Sequence, residues 1–433
     1  MSEPLRRSRE NRGVATVARH GRLRRNSAWA TIGKVLAATL AVLLVSGGTV
    51  AAYAVWNVTN SIKPAVTLAG ETPGAPVPNI DAIEGGVNLL LVGSDSRQGQ
   101  DPIFGDATKE TGVLNDVTML LHISEDHSNA TVVSFPRDLF VPIPACPNPN
   151  GGTYSAMTSQ KINTTLSYGG LPCTVLTVEN LTGLSIPFAA EVQFSGVIEL
   201  SNAVGGVDVC VAEPIADPYT NLYLDAGTHT LQGLDALQFL RTRHGVGDGS
   251  DLGRISNQQV FLSALVRKLQ SASTLSDPTK LYGIAKAAAS NMSLSTSLSN
   301  INTMISIAMA LKDISLEKIV FVQYPNAYGT SNGQSGVLPI ETAADELFDA
   351  IKADVPIGLS GSTGVGSVPD PSAPAPPETT TPGTTPPDAS TPDATAPGST
   401  DVPSTGAPSS GITLPESVQG QTAGERTCSA GNG

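Results

Sequence analysis

The chain is poor in aromatic residues, which make up 4% of its 433 positions, and it has only five histidines. Those histidines (His20, His122, His127, His229, His244) form no HExxH pair and the cysteines form no CxxC, so nothing in the spacing argues for zinc. There is no GxSxG elbow, Walker loop or GxGxxG, which removes support for a hydrolase triad, a P-loop NTPase and a dinucleotide-binding enzyme. Positive charge is scarce beyond the first 27 residues. These hold eight arginines (Arg6, Arg7, Arg9, Arg12, Arg19, Arg22, Arg24, Arg25) against Glu3 and Glu10, yet the net charge of the whole chain is −13. An acidic body of this kind excludes a broad nucleic-acid-binding face, and no nucleic-acid partner is expected.

Charge is also missing from a long run near the N-terminus. In "AWATIGKVLAATLAVLLVSGGTVAAYAVW", residues 28–56, Lys34 is the only charged side chain. About 22 uncharged residues at about 1.5 Å each span roughly the hydrocarbon core of a bilayer. Trp29, Tyr53 and Trp56 stand near its two ends, where amphipathic rings meet headgroups. A cleaved signal peptide would have a shorter apolar stretch, so residues 28–56 read as a transmembrane helix. The arginines precede it, which by the positive-inside rule puts residues 1–27 in the cytoplasm and the remainder on the cell-wall side of the plasma membrane.

The four cysteines all follow that helix, in what would be an oxidising space. Three pairings exist. Cys146 with Cys173 is the expected one, because both sit beside prolines in a Gly/Pro/Asn-rich excursion; Cys210 is then left for Cys428.

Composition divides the remainder. Residues 57–84 read as an extracellular stalk. Residues 85–355 alternate strand-like and helix-like patterns and form the folded catalytic domain. Residues 356–433, rich in Pro, Thr, Ser, Ala and Gly, read as a disordered tail whose last stretch, "TAGERTCSAGNG", Cys428 is able to staple back. Within the domain, "GVNLLLVGSD", "DVTMLLHIS", "ATVVSFPRDLFV", "VDVCVAEPI" and "SLEKIVFVQYP" read as strands. "TVLTVENLTGL", "FSGVIELSNAVGG" and "SNQQVFLSALVRKLQSA" read as helices, the first two with glycine stops. Continuous apolar strands alternating with helices imply an α/β fold, a three-layer α/β/α sandwich around a central sheet.

Polar groups gather at the ends of these elements. Asp95 and Arg97 follow the first strand and Asp116 opens the second. Arg137 and Asp138 follow the third, and Lys161 and Asn163 stand in "SQKINTTLSYGG". "ALQFLRTRHGVGDGSDLGRISNQQ" adds Arg241, Arg243, Asp248, Asp251, Arg254 and Gln258. If "FLRTR" is extended, Arg241 and Arg243 share a face and make a fork for phosphate oxygens. Taken singly, each residue has a plainer role: a loop cap for Asp95, a surface ion pair for Arg137 with Asp138, a solvent-facing Lys161. Together, five arginines and three or four acids suit a metal-bound pyrophosphate.

The motifs "NLLLVGSDSR", "NDVTMLL", "SFPRD", "KINTTLSYGG", "YLDAGTHTLQGLDALQFLRTRH" and "GDGSDLGRISNQQVFL" stand in an order and spacing that resemble the LytR–CpsA–Psr family, actinobacterial branch, over roughly residues 85–300. The resemblance implies the family's mixed-sheet fold and a membrane-anchored phosphotransferase. Such an enzyme moves a glycopolymer from a polyprenyl-pyrophosphate carrier to the muramic acid 6-hydroxyl of peptidoglycan. It implies Mg²⁺ held by Asp95 and Asp116. It also implies pyrophosphate binding by Arg97, Arg137, Arg241, Arg243 and Arg254, with Gln258, Lys161 and Asn163 beside them. Arg137 then stabilises the phosphate in transfer, and Asp251 or Asp95 receives the acceptor's proton. The chain departs from the family pattern at Asn257, where many members carry a basic residue, and at Leu114–Asn115, where many carry an arginine. A lipid carrier also needs an apolar slot, for which the segments between Leu184 and Leu200 are candidates. The same site with water as acceptor would make a polyprenyl-pyrophosphate hydrolase, and a protein without catalysis would be a wall-binding or regulatory one.

Overall fold

A computed structural model describes residues 28–71, 86–271, 274, 277–373 and 411–432. The chain divides into two compact units, residues 1–55 and 56–433. The N-terminal helix α1 runs Ala28–Thr59, long and apolar enough to cross a membrane. Its positions 28–52 are exposed throughout, as expected of a surface matched to lipid rather than to a protein core.

The second unit is built on strands β1 (Val87–Ser94), β2 (Asn115–Ile123), β3 (Ala130–Phe135), β4 (Phe188–Val192), β5 (Val207–Val211) and β6 (Gly227–Leu231). It continues with β7 (Met292–Leu294), β8 (Ile319–Gln323), β9 (Ser367–Pro369), β10 (Gly420–Thr422) and β11 (Thr427–Ser429). Seven of them form a mixed sheet in the order β7-β4-β1-β2-β3-β8-β10. β1 runs parallel to β4 and β3 to β8, and the other neighbours are antiparallel.

The helices are α2 (Thr165–Thr182), α3 (Phe194–Val204), α4 (Gly233–Arg241), α5 (Asp251–Gln270), α6 (Pro278–Asn291), α7 (Ile301–Lys312) and α8 (Glu341–Lys352). Side chains alternate along a strand, so each sheet face collects its own core. Leu90, Val92, Leu120, Val133 and Val322 pack on one side with Val175 and Val178 of α2 and Leu347 and Phe348 of α8. Ile123, Phe188, Ala190 and Phe321 pack on the other with Ile307 of α7, where Leu262 and Val266 of α5 join them. These are the three layers that the apolar strand runs imply. α2 and α3 both stop at glycines in the left-handed region, Gly183 (φ 68°) and Gly205 (φ 83°), which a Cβ would strain.

The boundaries differ from the compositional reading at both ends. Part of the expected stalk belongs to the fold: Leu68 is buried, Val66 bridges to Ser295, and the Glu71 carboxylate accepts from the Ser297 backbone at 2.9 Å. Residues 72–85 lie outside the described residues. The expected tail is partly built in as well. Ile357–Leu359 pairs with Ile412–Leu414, β10 extends the central sheet beside β8, and β11 lies between β5 and β9. Proline-rich composition marked the whole of 356–433, but Ile357, Leu414, Val418 and Cys428 are apolar enough to be buried, and they are. Residues 374–410 lie outside the described residues.

Both disulfides form as expected, Cys146–Cys173 and Cys210–Cys428, with sequence separations of 27 and 218. Closing a loop as long as the second restricts the unfolded chain strongly. Cys428→Ser should therefore lower unfolding free energy by about 2–4 kcal/mol. Urea denaturation of the two proteins measures this, and an unchanged midpoint would show that the C-terminal strands hold without the crosslink.

Candidate functional site

The first strand ends in an irregularity. The β1–β2 register slips between Gly93 and Ser94, and a Cβ on Gly93 would come within 2.9 Å of the Val117 side chain. The slip turns the chain out of the sheet at Asp95. Two bonds then latch that residue to the start of β2: its N–H donates to the Leu114 carbonyl at 3.0 Å, and its Oδ1 accepts from the Leu114 N–H at 2.6 Å. Asp116 follows two residues later on β2. The two acids sense each other. Burial raises Asp95's proton affinity above that of an ordinary aspartate and the Leu114 bond opposes this. The Asp116 charge raises it further, while Arg97 and Arg137 pull it down.

The arginines come from four separate places. Arg137, after β3, is ion-paired with Asp116. Arg254 lies one turn into α5, 6% exposed, with Nη2 donating to the Asp116 carbonyl at 2.6 Å. Asp251 opens α5, whose cap is Ser250, and an acid there meets the positive end of the helix. Its Oδ2 accepts from the Arg137 N–H at 3.0 Å and its Oδ1 lies 2.6 Å from Arg254 Nη2, as an ion pair out of hydrogen-bonding line. Asp251 thus has one oxygen committed to the Arg137 backbone, while the other is ion-paired with Arg254 and lacks a hydrogen-bond donor among the described residues.

Arg97 pairs with Glu110 at 3.0 Å and stacks on the Phe194 ring, 4.7 Å from its centroid. Arg241 stacks on the same ring at 4.3 Å. Burial first, and then the Arg97 charge, lower Arg241's affinity for its proton, while Asp116 and Asp95 oppose this. Phe194 had no signal in the sequence beyond its place at the start of a helix. Here it is the surface on which two cations rest. Arg97 Nη1, Arg137 Nε and Arg254 Nε are buried without a hydrogen-bond partner among the described residues. Buried N–H groups left open cost free energy unless an acceptor arrives. Three guanidiniums of the cluster thus have donors left over, beside the equally unpartnered Asp251 Oδ1.

Below these groups lies a cavity of about 280 Å³. Asp116, Arg241, Arg254, Gln258 and Phe194 line it together with aliphatic side chains such as Val197, Leu200, Leu237, Leu265 and Ile284. Of the stretch proposed for an apolar slot, Val192, Phe194, Val197 and Leu200 do line it, whereas Leu184 and Ile186 belong to the core under α2.

Arg243 and Lys161 are absent from the cavity lining, and Asn163 sits against Arg137. "FLRTR" is not extended. Leu237, Leu240 and Ala236 carry α4 through to Arg241, and the chain leaves the helix only at Thr242. Arg241 and Arg243 therefore do not form a fork. Arg243 does not line the cavity, and its N–H donates to the buried Asp217 at 3.1 Å. Lys161 pairs with Asp138 at 3.0 Å. Asn163 is buried beside Arg137, donating from its N–H to the Arg137 carbonyl at 3.2 Å, with its Oδ1 unpartnered. Asn115, singled out in the sequence only as a departure from the family pattern, has a structural role. It is fully buried, donates to Thr118 at 2.8 Å and accepts from Thr165 at 3.2 Å, which joins β2 to the start of α2.

A three-layer α/β protein whose cluster of arginines and carboxylates adjoins an apolar cavity is the class this geometry defines. The chain belongs to the LytR_cpsA_psr family, whose model matches residues 57–353. It is 33% identical over 269 residues to the cell wall biosynthesis protein LcpA of Corynebacterium glutamicum, a match covering 57% of this chain and 51% of LcpA. It is 31% identical over 250 residues to TagT of Bacillus subtilis, named a polyisoprenyl-teichoic acid–peptidoglycan teichoic acid transferase, over 56% of this chain and 71% of TagT. The chain spans about half the length of LcpA and of its C. glutamicum relative LcpB, 51% and 48%. The solved LytR-Csp2A-Psr enzyme from Actinomyces oris shares the fold at 22% identity and TM-score 0.50, over 67% of this chain and 96% of that one. Protein gbs0355 from Streptococcus agalactiae does so at 24% and 0.51, over 62% and 87%.

Because the folded environment raises Asp95's pKa, its ionised form is a cost to the fold. That contribution is fully favourable below the unfolded carboxylate pKa and is lost as pH rises through the folded one. Asp95→Asn should accordingly be more stable than wild type at neutral pH, with the gap closing on acidification. Thermal melts across pH report it, and a variant less stable at neutral pH would contradict the placement of Asp95.

Proposed function

We propose that this protein is a membrane-anchored phosphotransferase that ligates a glycopolymer, delivered on a polyprenyl pyrophosphate, to a peptidoglycan hydroxyl through a phosphodiester bond. One observation carries the reading: an arginine cluster with open N–H groups among the described residues adjoins an apolar cavity that two of its members, Arg241 and Arg254, line. A ligand that satisfies both halves has a diphosphate head and a hydrocarbon tail. LcpA is named for cell wall biosynthesis and TagT for transfer of teichoic acid to peptidoglycan, which supports the same substrate class.

Within that reading, Arg97, Arg137, Arg241 and Arg254 bind the diphosphate and take up the charge that moves to the leaving phosphate. Phe194 keeps two of them at the cavity mouth. Asp251 is a positioning residue for Arg137 and Arg254. A loose phosphoryl-transfer transition state asks little of a general base, so alignment of the acceptor hydroxyl with the phosphorus carries the reaction.

The two acids fit a magnesium ion. Asp95 has one oxygen committed to Leu114, and Asp116 shares its charge with Arg137. That matches the habit of Mg²⁺ of taking one or two carboxylates and completing its shell with phosphate and water. When bound there, Mg²⁺ would neutralise phosphate charge. α1 would hold the site at the membrane surface where the lipid resides, with the N-terminal arginines on the cytoplasmic side.

The test is mass spectrometry of peptidoglycan fragments from a deletion strain complemented with wild type or Arg241→Ala. Wild type should restore a phosphodiester-linked sugar on muramic acid, and Arg241→Ala should reduce the linkage by on the order of a hundredfold. Free phosphate without linked polymer, from purified protein given both substrates, would identify a hydrolase instead. Val197→Trp, which fills the cavity, should abolish binding of a long prenyl diphosphate while sparing inorganic pyrophosphate. Equal loss of both would show that the cavity does not hold the tail.

A further inference from the structure

Arg97, Arg137 and Arg254 each have a carboxylate in contact. Arg241 has none among the described residues, although burial and the neighbouring Arg97 both disfavour its charge where it sits. What holds it is the ring of Phe194 and the end of its own helix.

That end is braced from outside. The last carbonyls of a helix lack partners within it. Here Gln238 is served by the Thr242 N–H at 2.8 Å. The next two carbonyls are served by consecutive side-chain amides of α5: Asn257 Nδ2 donates to Phe239 at 2.7 Å, and Gln258 Nε2 donates to Leu240 at 2.9 Å. Asn257 is completely buried, as is Ser429 of β11, whose hydroxyl donates to Asn257 Oδ1. That bond fixes the orientation of the amide, since only one rotation about its last torsion presents oxygen to Ser429 and nitrogen to Phe239. β11 in turn is held by the Cys210–Cys428 disulfide and by its neighbours β5 and β9. Further along, Gln421 donates to Ser263 of α5 at 2.9 Å, and Arg267 of α5 donates to the Ala423 carbonyl at 2.7 Å.

We infer that Asn257 is a positioning residue for Arg241, and that the C-terminal segment, through Ser429, sets its orientation. A hydrogen-bonded line runs from β11 to the carbonyl two residues before Arg241. The segment beyond residue 410 is therefore part of the binding machinery, acting at one remove. The inference rests on the proposed function only for its consequence in diphosphate binding; the placement of Arg241 stands apart from it.

The test uses the full chain in detergent with ¹⁵N-labelled arginine. Stacking on Phe194 should shift the Arg241 Nε–H resonance upfield, a signal assigned by its absence in Arg241→Lys. Asn257→Asp keeps the shape and the acceptor for Ser429 but removes the donor to Phe239, so it should lose the shift as Asn257→Ala does. Ser429→Ala should weaken the shift and Ser429→Thr should restore it. In parallel, wild type should bind farnesyl diphosphate more tightly than farnesyl monophosphate, and both Asn257 variants should lose that preference by on the order of tenfold, leaving farnesol binding unchanged. An Asn257→Asp chain that keeps the shifted resonance overturns the inference, whatever its ligand binding. A lost shift in a chain whose wild type ignores the second phosphate upholds the positioning and counts against the proposed function. Asn257→Ala that fails to fold leaves Asn257→Asp and Ser429→Ala to decide.

Discussion

Four guanidiniums brought close together beside apolar surface repel one another and lose hydration, and everything around the cleft offsets that cost. Asp116 and Asp251 each engage two sources of positive charge or N–H, Glu110 pairs with Arg97, and Phe194 offers its face to two cations at once. The offset is incomplete. Three buried guanidinium nitrogens remain without partners among the described residues, and Arg241's proton is held less tightly than usual. Under the proposed function, a diphosphate would supply the missing acceptors and gain affinity by doing so.

The fold delivers these groups from rigid elements. A register slip at the end of β1 sets Asp95, the start of β2 sets Asp116, and the bend after β3 sets Arg137. One helix, α5, carries Asp251, Arg254, Asn257 and Gln258 on its first two turns. The same helix packs on the sheet through Leu262 and Val266 and accepts the C-terminal strands on its polar side. Movement of α5 would disturb both charge and cavity, because Gln258, Phe261, Leu262 and Leu265 form part of the cavity wall.

Much of this was legible in the residues. Period-two and uninterrupted apolar runs located the strands, and glycine stops located the ends of α2 and α3, because both signals are local. The clustering of Asp95, Asp116, Arg137, Asp251 and Arg254 at element ends was legible as a pattern of types. Helicity through "FLRTR" was missed because two arginines in alternation mimic a strand, while Leu237 and Leu240, three apart, are what bury the turn. Phe194 was missed, and Asn115 and Asn257 were noted only as departures from the family pattern, for another reason. Their roles are defined by partners far along the chain, Arg97 with Arg241, Thr165, and Ser429, and no local spacing encodes such contacts. Composition misjudged the described parts of the last segment, residues 356–373 and 411–432, for the same reason: a few apolar residues and one cysteine settle where a proline-rich segment returns.

That return changes what the low-complexity stretch is. The chain on both sides of residues 374–410 is bound to the folded body, Asp370 to Arg426 and Ile412 to Pro356, so that stretch is an internal connection rather than a free end. Whatever shape they take, a tether fixed at both ends reaches outward by no more than half its contour, roughly 60 Å at about 3.4 Å per residue. Lengthening such an excursion is inexpensive, about 0.6 kcal/mol for each doubling. A change in its length therefore alters chiefly its greatest possible reach and costs the folded body little.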